Sequence, residues 1–264
     1  MTRFDPFFGP VFPDIGWIPS IRYLMRRDRI LALLTDRPRT SILEVGCGSG
    51  ALLAELAEIG FHCTGLETSD SARTMANEIS RRGDIALNIL GSPHPDFDHS
   101  FDLVCAFDVL EHIEDDHAAI ESWKRWVKPG GHLLITVPAH SKRWGPGDVW
   151  AGHFRRYDEN AFKDLLNTHG MTIEHFECYG FPAANISEWL GKRVYARLLE
   201  ERARGIDRAQ ATAMSGIQRK PYSRIYGMMR TPIGKMLLST CYFFQNRFSS
   251  TNLGSGYIIL ARKP

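Results

Sequence analysis

Apolar and polar positions alternate along this chain in blocks whose period switches between that of a strand and that of a helix. Ser41–Val45 is a short apolar run, and Ala51 to Ile59 follows it with helical spacing. Phe61–Leu66, Ile85–Leu90, Phe101–Phe107 and His132–Val137 read as four further strands. The run 101–107 is nearly all apolar, which predicts burial on both faces. Helical patterns lie between them at 71–82, where Ser69 or Asp70 can cap, and at 114–127, closed by Lys128-Pro129-Gly130-Gly131. Upstream, Ile21 to Thr35 carries apolar residues at helical spacing with arginines between them. Residues 1–20 are rich in proline and aromatics and predict an extended arm lying on the domain.

The second half is less regular. Residues 139–157 predict a long loop, after which Asp158 caps a helix through His169 and Met171–Tyr179 forms a sixth strand. Two helical patterns follow, around 184–203 and 222–247, separated by the polar stretch Arg204–Lys220. Ser255–Ala261 closes the chain as a last strand. Strands alternating with helices mean βαβ units, a parallel sheet and right-handed crossovers. Ligands of such sheets bind outside the carboxyl ends of the strands. The polar clusters Glu44–Gly50, Glu67, Gly91-Ser92, Asp108–His112 and Ala139–Tyr157 all fall at such ends.

Composition narrows the class. The chain has 264 residues, 44% hydrophobic and 23% charged, with a formal net charge of only +2, so no global field points to nucleic acid. Cysteines stand at 47, 63, 105, 178 and 241 with no CxxC pair, which reads as buried thiols in a reducing cytoplasm rather than a disulfide framework. The N-terminal stretch is broken by prolines and glycines and reads as no signal peptide, and no run reaches transmembrane length.

The strongest local signal is Ile42-Leu43-Glu44-Val45-Gly46-Cys47-Gly48-Ser49-Gly50, a strand, a glycine turn and a helix start. Glycine permits positive φ and lets a ligand lie against bare backbone, and the helix N-terminus offers unpaired N–H groups. Gly46-x-Gly48-x-x-Ala51 satisfies a relaxed dinucleotide fingerprint, so the turn alone leaves two ligand classes open. Glu44 favours a cationic ligand over a dinucleotide: a carboxylate in a phosphate-binding turn would repel a pyrophosphate but suits an ammonium or sulfonium.

That nine-residue stretch, with Gly65-Leu66-Glu67-Thr68-Ser69, Phe101–Ile113 and Val127–Pro138, resembles in order and spacing four successive motifs of the class I S-adenosylmethionine-dependent methyltransferases. The resemblance covers residues 40–180 and weakens in the N-terminal arm and the late helices. It implies an α/β, Rossmann-like, doubly wound seven-stranded sheet in the order 3-2-1-4-5-7-6 with the last strand antiparallel. It divides the chain into an arm and helix (1–39), a core (40–182 plus 253–264) and a helical cap insert (183–252). It implies S-adenosylmethionine as cofactor and S-adenosylhomocysteine as product. The cofactor set is then Glu44, Gly46, Cys47, Gly48, Gly50, Glu67, Thr68, Ser92, Phe107 and Asp108. Glu67, 23 positions after Glu44, suits two ribose hydroxyls, though it would serve a nicotinamide dinucleotide equally. Many members of the family carry an acidic residue after strand 3; here the stretch is Leu90-Gly91-Ser92-Pro93, and Ser92 stands in.

Methyl transfer needs an in-line approach, and a base only where the nucleophile holds a proton. The segment Gly152-His153-x-Arg155-Arg156-Tyr157 resembles one found in a subset of the family, and makes His153 the first candidate base and Tyr157 the second. Arg155 and Arg156 are candidates to hold a substrate carboxylate or phosphate, with His112 and Trp150 beside the acceptor. Asp108, Glu111, His112 and a later histidine offer ligand types for a metal, but Glu-His-Ile is widespread in metal-free members, so no metal is assigned. The reading is a cytoplasmic enzyme that methylates the oxygen or nitrogen of a small organic acceptor, acidic or ring-bearing. It has no nucleic-acid partner and no transmembrane segment. A basic, aromatic insert keeps peripheral membrane contact open. The alternatives are an NAD(P)-dependent oxidoreductase and a protein that binds S-adenosylmethionine without transferring its methyl. The oligomeric state is undetermined.

Overall fold

A computed structural model of the protein describes residues 3–202 and 223–264. The stretch Arg204–Lys220 and Tyr222 lie outside the described residues. One seven-stranded sheet organises the rest, in the order β3-β2-β1-β4-β5-β7-β6. Its strands are β1 (Ser41–Val45), β2 (His62–Leu66), β3 (Asn88–Leu90), β4 (Phe101–Phe107), β5 (Val127–Pro138), β6 (Thr172–Tyr179) and β7 (Gly256–Arg262). β1 to β5 pair in parallel, and β7 lies antiparallel to both β5 and β6. The expected order and the antiparallel last strand are both present.

The helices are α1 (Ile21–Leu34), α2 (Ala51–Glu58), α3 (Asp70–Gly83), α4 (Asp116–Trp126), α5 (Pro146–Ala151), α6 (Glu159–Thr168), α7 (Ala183–Arg202), α8 (Ser223–Met229) and α9 (Pro232–Phe248). They cover the sheet on both faces. Alternation along β1 sends Ile42 to one apolar layer and Leu43 and Val45 to the other. The first layer contains α1, α2 and the N-terminal arm, whose Phe8 and Trp17 are buried; the arm is therefore part of the core. The second contains α4 and α6 through Ile120, Trp123, Phe162 and Leu166.

Three elements differ from the sequence pattern. The Lys128–Gly131 turn is carried within β5, which begins at Val127 and pairs with Phe101 before its register shifts. The segment 139–157 contains α5, with Pro146 in its first turn and Gly152 closing it in the left-handed region. The last helical pattern is split at Thr231-Pro232. Proline cannot donate the backbone hydrogen bond that would continue α8, and Thr231 caps α9 by accepting from the N–H of Gly234.

Candidate active site

β1 ends in the glycine turn, and all three of its glycines adopt positive φ. At Gly46 a Cβ would lie 2.6 Å from the Val109 side chain, so that position admits no other residue without movement. At Gly48 the space is open, and its N–H donates to Glu67 Oε2 at 2.9 Å. The other oxygen of Glu67 accepts from the N–H of Ser69 at 2.8 Å. Glu67 thus ties the turn after β1 to the start of α3, where Ser69 is the cap. Thr68 is exposed beside it, and Ser92 is exposed in the loop after β3. Cys47 is buried against Gly65 of β2.

Glu44 is buried on the α1–α2 side of the sheet, and its Oε2 has no hydrogen-bond partner among the described residues. Burial raises its carboxyl to about 8, against the pull of the nearby Arg26. Arg26 Nε is likewise buried without a partner among the described residues. Arg26 passes over the Phe107 ring and donates to Asp108 at 2.6 Å, while Arg22 reaches the same carboxylate at 3.2 Å. Burial would raise the Asp108 carboxyl, but these two guanidiniums hold it far below the usual range. Asp108 itself sits at φ +55° and also accepts from the Tyr179 hydroxyl. Sequence reasoning missed Arg22 and Arg26. Their four-residue spacing puts them on one helix face, but nothing in the pattern says that this face meets the end of β4.

A second cluster lies just beyond. Leu110–His112 forms a single 3-10 turn, and Glu111 is fully buried. Neither Glu111 carboxylate oxygen has a hydrogen-bond partner among the described residues; Oε1 lies 3.9 Å from His153 Nε2, outside hydrogen-bond reach. Burial and the Asp108 charge push its carboxyl well up. The rings of His112 and His153 meet edge to face at 4.6 Å. Burial and the neighbouring His153 lower His112 to about 3. His153 Nδ1 bonds to Asp148 Oδ1 at 2.9 Å, which leaves Nε2 facing Glu111. Burial would raise Asp148, but the bonds from His153 and Arg156 hold it at about 2. Asp148 as the partner that orients His153 was also missed; a five-residue spacing becomes a contact only because α5 ends in a left-handed turn at Gly152.

Other expected site residues are placed elsewhere. Tyr157 packs on Phe162 and its hydroxyl donates to Asp116 at 2.8 Å; burial first, and that bond second, raise its pKa far out of reach of base chemistry. It belongs to the core, and the expectation of a second base is corrected. Arg155 pairs with Asp116 at 2.7 Å and with the Glu114 carbonyl. Arg156 joins Asp148 to Glu188 of α7 at 2.7 and 2.8 Å. Both arginines are ion-paired within the protein; Arg156 is nearly buried, whereas Arg155 keeps about a third of its side chain exposed. Trp150 packs on Tyr195 of α7 with ring centroids 5.1 Å apart. α5 is thereby fastened to the insert by an ion pair and a ring contact. A separate cavity of about 280 Å³, lined by Arg37, Thr40, Asp102 and Lys128, lies at the opposite, amino ends of β1 and β4.

Residues 20–175 match the model of a family described as a methyltransferase domain. Among curated proteins, the ubiquinone biosynthesis O-methyltransferase of Idiomarina loihiensis is 35% identical over 120 residues, covering 42% of this chain and 48% of that protein. The chain spans about half the length of the curated relatives it matches. Among solved structures, the cyclase SpnF superposes with a TM-score of 0.57 at 19% identity, covering 99% of this chain and 88% of that one. Coclaurine N-methyltransferase, solved with N-methylheliamine and S-adenosylhomocysteine, gives 0.56 at 18% identity, covering 90% and 72%. At these identities the superpositions speak for the fold alone.

Proposed function

The chain belongs to the methyltransferase domain family, and on that premise we propose that it binds S-adenosylmethionine and methylates the oxygen or nitrogen of a small organic acceptor. The observation that carries this reading is the pair of unpartnered buried groups, Glu44 Oε2 and Arg26 Nε, behind the glycine turn. A zwitterionic amino acid supplies what each lacks: an ammonium for Glu44 and a carboxylate for Arg26. A pyrophosphate could accept from Arg26 but offers Glu44 no cation and would be repelled by it. That argues against the oxidoreductase alternative.

When bound, S-adenosylmethionine supplies an electrophilic methyl on a sulfonium. Glu67 would take the ribose hydroxyls, with Gly46, Cys47, Gly48 and Gly50 lending bare backbone. Thr68, Ser92 and Phe107 would lie about the adenine side. Asp108 would act through Arg22 and Arg26, holding both guanidiniums over the end of β4. Beside it, Asp148 holds His153 with Nε2 toward Glu111, where the acceptor would enter with His112 as the facing wall. Nε2 is placed to accept a proton from the acceptor's nucleophile.

We assign the insert 183–252 as a cap, the core as 40–182 plus 253–264, and 1–39 as an arm that braces it. Support comes from two links between α7 and the segment that carries His153, the Arg156–Glu188 pair and the Trp150–Tyr195 ring contact. The compartment is the cytoplasm in this reading, which fits five cysteines that are all unpaired. Among the described residues no helix is long and apolar enough to cross a membrane.

Calorimetric titration with S-adenosylmethionine, S-adenosylhomocysteine and NAD is the test. Micromolar binding of the first two is expected, with at least about a tenfold loss in Glu67→Ala, the scale of one charge-assisted hydrogen bond. Tight binding of NAD would overturn the reading.

A further inference from the structure

We propose that Glu111, His112 and His153 form a binding site for one divalent cation that accepts mixed nitrogen and oxygen ligands, Zn²⁺ or Mn²⁺. One ligand atom from each of the three lies within 4.8 Å of the others. An ion at about 2.1 Å from each would draw them together by roughly an ångström, within side-chain reach. Two further observations point to a ligand. Glu111 is fully buried, yet both its oxygens lack hydrogen-bond partners among the described residues. A buried carboxyl without partners keeps its proton, and a cation would displace that proton and supply the missing partner. His153, for its part, is arranged as a metal-ligating histidine usually is. Its Nδ1 is engaged by a carboxylate, Asp148 at 2.9 Å, and Nε2 is presented to the other ligands. Asp148 is fixed in turn by Arg156 at 2.7 Å and the Gly145 N–H at 2.9 Å.

Two imidazoles and one carboxylate select against Mg²⁺ and Ca²⁺, which favour all-oxygen shells, and leave coordination positions open. The His153 side chain keeps 14% of its surface exposed, which leaves those positions a narrow route for an acceptor oxygen. This departs from the expectation of a metal-free site. Binding of the ion stands independently of methyl transfer. Its role rests on the function proposed above: His153 becomes a ligand, and an acceptor hydroxyl is acidified by coordination, its proton passing to solvent.

The test uses the full chain, stripped with chelator and titrated calorimetrically with Zn²⁺, Mn²⁺ and Mg²⁺ in turn. One equivalent of Zn²⁺ or Mn²⁺ is expected to bind well over tenfold more tightly than Mg²⁺. Glu111→Gln and His153→Ala, each verified as folded by circular dichroism, are expected to abolish that binding. Asp148→Asn should weaken it by about 10- to 100-fold. A surface pair, His117 with His169 at 3.1 Å, is the control: His169→Ala should change nothing. Unchanged binding in both Glu111→Gln and His153→Ala, or loss in His169→Ala alone, would overturn the proposal, as would no binding by the wild type. Metal binding without any methyl transfer would leave this site standing and count against the proposed function.

Discussion

Glu44 shows how one residue can oppose stability in favour of a site. The unfolded carboxyl ionises near 4.5, whereas the buried one keeps its proton to about 8. Between those values the folded state binds more protons than the unfolded one, so stability falls as pH rises through this window, and the full penalty is present above it. Glu44→Gln is expected to flatten that slope and to gain on the order of a few kcal/mol at pH 8.5 relative to wild type. The same change should weaken S-adenosylmethionine binding, since the ammonium loses its counter-charge. Melting temperatures of both proteins between pH 5 and 9 would check it; parallel curves would sink the argument. The identity of Glu44 is plain in the sequence beside the glycines. Its missing partner is not, because only the packing of α1 over β1 takes it out of water.

At the scale of elements, the site depends on how α1 is held. α1 carries Arg22 and Arg26 to Asp108, and it is locked to α2 by a buried pair. Arg27 and Glu55 are each about nine-tenths buried and share several hydrogen bonds, with Nε to Oε2 at 2.7 Å. Glu55→Ala would strand the guanidinium, and we expect a loss of about 3–5 kcal/mol in chemical denaturation. Arg27→Met combined with Glu55→Met should recover most of it, because two apolar side chains of similar length leave no charge behind. A double variant no better than the single would show that the Arg27 hydrogen bonds to the Pro6 and Phe7 carbonyls of the arm carry the stability instead. Element types were legible in advance: the glycine turn, the Ser69 cap and the apolar run of β4 are local signals. The split of the last helical pattern was also written locally, in Thr231-Pro232, but the surrounding helical periodicity hides it. α5 was less legible, since six residues carry too little period to register.

At the scale of the molecule, charge is unevenly shared. The insert 183–252 holds twelve lysines and arginines against four acidic residues, while the chain as a whole carries only +2. Its described helices expose Trp189, Met228, Ile233, Met236 and Phe243. Basic charge beside exposed aromatic and aliphatic side chains suits an anionic bilayer surface. Co-sedimentation with vesicles containing phosphatidylserine is expected, falling steeply with salt. Trp189→Ser with Phe243→Ser should reduce it at least about tenfold, since fully burying a large apolar side chain is worth about 1.5–3 kcal/mol. Binding that ignores both salt and these substitutions would refute the surface.

The sequence by itself determined the sheet, its ligand end and the glycine turn with Glu44 and Glu67, because backbone freedom, apolar period and strand-end position are encoded within a few neighbouring residues. Tertiary structure alone decided what the polar side chains do there. Arg155, Arg156 and Tyr157 read as chemistry in the sequence, yet folding pairs them with Asp116, Asp148 and Glu188. Arg22 and Arg26 read only as polar positions of an amphipathic helix, and Asp148 only as one member of the 139–157 segment, yet folding sets the first two on Asp108 and the third on His153. A charged side chain takes its role from the partner it meets, and those partners lie 5 to 86 positions away in the chain.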